Sequence, residues 1–216
     1  MSTAMNLVSP RVLENTAGGP SPLLHKEPFG RVSDQNLKSH THPCEDSIVK
    51  VFHSRWSRHP RRVAVKDTAA QLTYLELDRE SNRLARWLQG RAYIPETPIC
   101  VLAPRSCTVI VVFLGILKAG LAYVPLDLNA PVDRLRSILS LLPCTKPLVL
   151  LGANVEPPGI DPQEQAVRFE WIDSALDDKN YADYTALSHD PGSSCLAYII
   201  FTSGSSGVFI PWKVPD

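Results

Sequence analysis

Ile99-Cys100-Val101-Leu102-Ala103, Ala122-Tyr123-Val124-Pro125-Leu126 and Leu148-Val149-Leu150-Leu151 are short apolar runs. Ser106 to Gly120 and Pro131 to Leu142 separate them. The runs predict strands and the intervals predict helices. Ser106 can cap a helix through Lys118, and Gly120 can end it. Pro131 suits the first turn of the next helix. Strand, helix, strand, helix, strand implies right-handed crossovers and a largely parallel sheet. The expected fold class is α/β, a mainly parallel sheet covered by helices.

Working outward, Ile48, Phe52 and Trp56 recur every four residues, with Val49 on their side, and predict an amphipathic helix ended by Pro60. Val63–Lys66 and Gln71–Thr73 read as short strands around the turn Asp67–Ala70. Thr73-Tyr74-Leu75-Glu76 is a capping-box pattern. The helix it opens carries the stripe Leu77, Leu84 and Leu88, with Asp78, Arg79, Arg83 and Arg86 largely away from it and Gly90 as its stop. Downstream, Asn154–Gln165 is a polar, Pro-rich connection and Val167–Ile172 a further strand. Cys195–Phe201 is apolar throughout, as a strand buried on both faces should be. Residues 1–45 are rich in Pro, Ser, Gly, His and Asn without sustained hydrophobic period, and are expected to be a disordered tail or linker.

Composition bounds the function classes. The chain has 216 residues, 44% of them apolar, so it can bury a core. Lys plus Arg is 22 and Asp plus Glu is 22, which gives no global attraction to nucleic acid or an anionic membrane. The longest apolar run, Thr108–Leu117, is half of the roughly 20 residues a spanning helix needs. The 5 cysteines are scattered, odd in number and without a CxxC pair, which fits a reducing compartment, the cytoplasm.

The strand Cys195–Phe201 runs into Thr202-Ser203-Gly204-Ser205-Ser206-Gly207. Two glycines let the main chain approach a ligand closely, and hydroxyls with free N–H groups can surround phosphate oxygens. Ligands on open α/β sheets sit beyond the carboxyl ends of strands. A polar turn has the same composition. Walker A, GxSxG and GxGxxG spacings do not match. The stretch Leu117-Lys118-Ala119-Gly120-Leu121-Ala122-Tyr123-Val124-Pro125-Leu126-Asp127 reads as a helix end, a glycine stop, a strand and a turn, with Lys118 suited to the helix dipole.

Together, Leu72–Leu77, Leu117–Asp127 and Leu196–Gly207 resemble the adenylation domains of nonribosomal peptide synthetases, within the superfamily of AMP-forming acyl and aryl ligases. Ser81–Ala85 and Pro131–Leu135 are similar to that family too. The resemblance covers about residues 46–207 and implies the large N-terminal domain of an adenylate-forming enzyme. It implies that a carboxylate attacks the α-phosphorus of ATP, carried with Mg2+, giving acyl-AMP and pyrophosphate. The acyl group then passes to phosphopantetheine on a separate carrier domain. The partners implied are an amino-acid substrate and that carrier domain. The cofactor-binding set implied is Thr202, Ser203, Gly204, Ser205, Ser206 and Gly207. No catalytic or metal-ligating residue is carried over.

The family usually continues x-Pro-Lys-Gly after the last glycine. Here the slots hold Val208-Phe209-Ile210-Pro211, so the phosphate-binding lysine is missing and residues 208–216 depart from the pattern. The family's later motifs also lie beyond this sequence. Three readings stay open: an incomplete N-terminal portion of an amino-acid-activating domain, a non-catalytic remnant, and a fragment of another acyl-CoA or aryl ligase. A truncated chain is expected to be inactive alone, with an uncovered apolar strand that could draw a chaperone. His40, His42 and Cys44 lack further ligands for a metal site. Cys100, Cys107 and Cys195 read as buried thiols, and Arg55, Arg58, Arg61 and Arg62 as a solvated basic face.

Overall fold

The computed structural model describes residues 46–161, 166–181, 187, 195–203 and 209–215; for Thr202, Ser203 and 209–215 it describes the main chain. The expectations for residues 1–45, for 162–165 of the Pro-rich connection and for 204–208 lie outside the described residues.

Helix α1 spans Ile48–Arg58 and is capped by the Ser47 hydroxyl, which accepts the Lys50 N–H. Strands β1 (Val63–Lys66) and β2 (Gln71–Thr73) form an antiparallel pair. Helix α2 (Tyr74–Gln89) starts on the expected capping box. The Thr73 hydroxyl accepts the Glu76 N–H at 3.3 Å, while Glu76 Oε2 accepts the Thr73 N–H at 2.8 Å.

The main sheet holds β3 (Pro98–Leu102), β4 (Ala122–Pro125), β5 (Leu148–Leu151), β6 (Arg168–Trp171), β7 (Leu196–Ser203) and β8 (Phe209–Pro215), in the order β6-β5-β3-β4-β7-β8. The first five in that order are parallel, and β8 is antiparallel to β7. Helix α3 (Cys107–Lys118) joins β3 to β4, and α4 (Val132–Leu141) joins β4 to β5. A short α5 (Ile172–Leu176) follows β6.

Apolar burial puts helices on both faces. Leu84, Trp87 and Leu88 of α2 and Val112 and Ile116 of α3 pack with Ile99, Val101, Leu148 and Leu150. On the other face, Leu135, Ile138 and Leu139 of α4 pack with Cys100, Leu102, Val124 and Val149. Each fully buried side chain of Leu or Ile size contributes about 1.5–3 kcal/mol.

Several expectations need correction. Asp78 is not on the solvent side of α2; it is buried. Ile48 is 45% exposed, so α1 docks through Phe52 rather than through the whole stripe. Pro131 is the residue before α4 rather than within it. The outer edge of β7 does not lie open: Phe209–Pro215 pairs along it from Leu196↔Pro215 to Ser203↔Phe209. An antiparallel neighbour needs only a short connection, so the segment following the Ser/Gly run can return along the strand it left. Ile200 remains 41% exposed.

Candidate functional site

The carboxyl ends of β3, β4, β5 and β7 share one edge of the sheet. There β3 leads into α3 on one face and β4 into α4 on the other. This reversal opens a crevice outside the strand ends. It is a cleft of about 600 Å³, with Arg105 after β3 and Asp127 and Asn129 after β4 among its walls. Asp127 accepts the Asn129 N–H at 2.9 Å, which fixes the turn. Arg105 carried no sequence signal beyond its place just after a parallel strand.

Strand β7 lies on the other side of β4, with Tyr198 opposite Tyr123. Residues Thr202 and Ser203 are its last two, opposite Ile210 and Phe209 of β8. The strand thus runs two residues further than its apolar stretch. By strand rise, Ser203 projects about 10 Å beyond the end of β4. Gly204, Ser205, Ser206 and Gly207 lie outside the described residues.

Phe113 of α3, Tyr123 of β4 and Tyr198 of β7 form a stack, with ring centroids 4.1 Å and 5.4 Å apart. Burial, and then Tyr198, push the Tyr123 hydroxyl above the ordinary tyrosine range. The rings tie β7 to the helix across β4.

The Leu117–Asp127 stretch is framework, held from its first turn. Lys118 is buried, and its ammonium donates to Asp78 Oδ1 at 2.7 Å, Ser81 Oγ at 2.8 Å and Asn82 Oδ1 at 2.7 Å. The Phe52 ring lies 5.2 Å from Nζ. Burial lowers the Lys118 pKa below the ordinary lysine value, and Asp78 opposes that shift. Lys118 therefore joins α3 to α2 rather than answering a helix dipole. Its partners explain why Ser81 and Asn82 stand on a buried face of α2.

Asp67 guards the start of α3. Its Oδ2 accepts the Cys107 N–H at 2.7 Å, and its Oδ1 accepts the Ala69 and Ala70 N–H groups at 2.7 Å. These main-chain bonds, led by Cys107, lower its pKa to about 2. Cys100 is fully buried and burial pushes its thiol up, so it reads as a core side chain. Cys107 is buried, Cys195 half-buried, and the arginines 55, 58, 61 and 62 exposed. Among the described residues no group of three His, Cys, Asp or Glu side chains gathers as a metal site. Among them, too, no helix is long and apolar enough to cross a membrane.

Comparison with known proteins matches this architecture. The family model described as AMP-binding enzyme matches residues 52–208. Enniatin synthase of Fusarium equiseti is 43% identical over 183 residues, 84% of this chain and 6% of that protein. Cyclosporin synthetase of Tolypocladium inflatum is 47% identical over 167 residues, 77% of this chain and 1% of that protein. The chain thus spans only a few hundredths of these relatives' length. The N-terminal subdomain of Klebsiella oxytoca NpsA in complex with 3-hydroxybenzoyl-AMSN has the same fold, with TM-score 0.66 and 21% identity over 78% of this chain and 41% of that one. VinN with 3-methylaspartate superposes with TM-score 0.66 and 23% identity, covering 79% of this chain and 48% of that one. The resemblance carried by Leu72–Leu77, Leu117–Asp127 and Leu196–Gly207 therefore stands, and the chain belongs to the AMP-binding enzyme family.

Proposed function

We propose that the chain is the N-terminal portion of an amino-acid-activating adenylation domain of the nonribosomal peptide synthetase type. In that reaction an amino-acid carboxylate attacks the α-phosphorus of Mg-ATP. The bond to the bridging oxygen breaks, and aminoacyl-AMP and pyrophosphate form. Mg2+ enters with ATP as part of the substrate. The aminoacyl group then passes to the phosphopantetheine thiol of a carrier domain, in the cytoplasm. The chain's own part is to hold the departing phosphates. The hydroxyls and N–H groups of Thr202–Gly207 would donate to the phosphate oxygens, where a preorganised donor set lowers the cost of developing charge.

The observation that carries this reading is the position of the Ser/Gly run. Its first two residues, Thr202 and Ser203, end a parallel strand at the carboxyl edge of the sheet, in a chain whose family match covers residues 52–208. The amino-acid form, rather than an acyl-CoA or aryl ligase, rests on the Leu117–Asp127 pattern and on the peptide-synthetase relatives.

A non-catalytic product is the second reading. Ile210 stands in the lysine slot and belongs to β8, paired with Thr202. Calorimetric titration of the 216-residue chain with Mg-ATP tests the first reading. Saturable binding that falls about tenfold or more in Thr202→Val and Ser205→Ala supports it. Absence of binding overturns it. Amino-acid-dependent ATP–pyrophosphate exchange with a mixture of the common amino acids should stay at background. Clear exchange would overturn the non-catalytic reading and show that the lysine slot is dispensable.

A further inference from the structure

We infer that Glu96 is a positioning residue for Thr202 and Ser203: its carboxylate holds the first main-chain N–H of β7 and thereby sets the axial register of the strand that these two residues end. The role in ligand binding rests on the phosphate-binding reading of Thr202–Gly207.

Three observations carry it. First, Glu96 Oε1 accepts the Leu196 N–H at 3.0 Å, across 100 residues of chain. Leu196 is the first residue of β7, and Ser203 is its last. Second, Glu96 sits at φ 62°, in the left-handed region that a side chain other than glycine, Asn or Asp rarely adopts. Strain of that kind persists only where surrounding structure over-determines it. Here the Glu96 N–H also donates to the Gly120 carbonyl at 2.8 Å, and the Ala122 N–H donates to the Thr97 carbonyl at 3.2 Å. The turn before β3, the turn before β4 and the start of β7 are therefore clasped at one point.

Third, the clasp adds a main-chain tie to a strand otherwise held to the parallel sheet mostly by side chains. Among the described residues its ladder with β4 registers one pair, Tyr123↔Tyr198. Its other neighbour, β8, pairs with β7 alone and so fixes no register against the parallel strands. A slip of one residue would move every β7 side chain to the opposite face. It would also displace the main chain of Thr202 and Ser203 by about 3.3 Å along the strand, more than a phosphate hydrogen bond tolerates. A carboxylate that takes one specified N–H selects one register. The clasp lies about 23 Å from Ser203 by strand rise, so it acts through the strand and not by touching the ligand.

The test uses the 216-residue chain, Glu96→Gly and Glu96→Gln. Glycine removes the carboxylate and relieves the left-handed backbone, so the fold is favoured while the clasp is lost. Glutamine keeps an acceptor oxygen. Amide-resolved hydrogen exchange reads the strand, and titration with Mg2+ and inorganic pyrophosphate reads Thr202 and Ser203. In Glu96→Gly, the Leu196 amide should exchange about tenfold or more faster while Val112 and Ile116 keep their wild-type rates. Pyrophosphate affinity should fall about tenfold, and Glu96→Gln should restore both readouts to within about twofold. Unchanged exchange at Leu196 overturns the clasp. Faster exchange with unchanged pyrophosphate affinity overturns the positioning role. If the wild-type chain binds no pyrophosphate, the phosphate reading of Thr202–Gly207 fails and the positioning role falls with it, whereas the exchange result still decides the clasp.

Discussion

Lys118 Nζ and Asp78 Oδ1 lie 2.7 Å apart, both on buried side chains and forty residues apart in the chain. The pair joins the end of α3 to the first turns of α2. Lys118→Met leaves the Asp78 carboxylate buried without its cation. That should cost about 3–5 kcal/mol, a large share of a domain's stability. Lys118→Met combined with Asp78→Leu should recover most of the loss, because both charges are then gone. Urea unfolding of the three proteins checks this; a Lys118→Met midpoint equal to wild type would refute it.

Asp67 makes stability depend on acid pH. Its pKa of about 2 in the folded chain lies below the ordinary 3.8, so the folded state binds fewer protons than the unfolded chain. Its contribution is complete above the unfolded value and is lost as pH falls through the folded one. Asp67→Asn cannot accept both sets of N–H groups. Its unfolding midpoint should therefore change less than wild type between pH 4 and pH 2, as a series of urea melts would show.

Gly115 is where α3 presses on α2. A Cβ there would meet Leu84 Cβ and Cδ2 at 2.9 Å and the Ser81 carbonyl oxygen at 3.0 Å. Alanine's helix propensity favours Gly115→Ala by about 1 kcal/mol. The clash with backbone and a fully buried leucine should outweigh that, for a net loss of about 1–2 kcal/mol. A melting temperature at or above wild type would show that the helices can separate freely.

Ile210 faces Thr202 across the β7–β8 ladder and occupies the slot where the family usually has lysine. Ile210→Lys puts a lysine at the position paired with Thr202 in the ladder. Pyrophosphate affinity should rise about tenfold, the scale of one charge-assisted hydrogen bond, and the gain should shrink with added salt. Unchanged affinity would mean that position 210 does not face the ligand.

Local signals in the sequence located most of the frame. The capping box at Thr73 and Glu76, the strands Val63–Lys66, Gln71–Thr73 and Leu148–Leu151, and the alternation from Pro98 to Leu151 depend on neighbours a few residues apart. The features that were not legible depend on distant partners. Asp78 looks like a solvent-facing acid until Lys118 arrives from another helix. Glu96 carries no local signal of its partner Leu196, a hundred residues away. The strand Phe209–Pro215 carries two prolines in seven residues, a composition that suits an edge and signals no strand on its own. At the candidate site, the sequence pattern placed Thr202 and Ser203 at the end of an apolar strand, while the crevice with Arg105 depends on two connections that leave the sheet on opposite faces.

The Asp67 carboxylate against the first turn of α3 also has a bearing on selectivity. Free N–H groups at a helix start attract anions, and this start stands on the same edge of the sheet as Thr202 and Ser203. Here the chain supplies its own anion to the Cys107 N–H. Any anion reaching that edge meets a decoy already silenced and is left to the donors that remain.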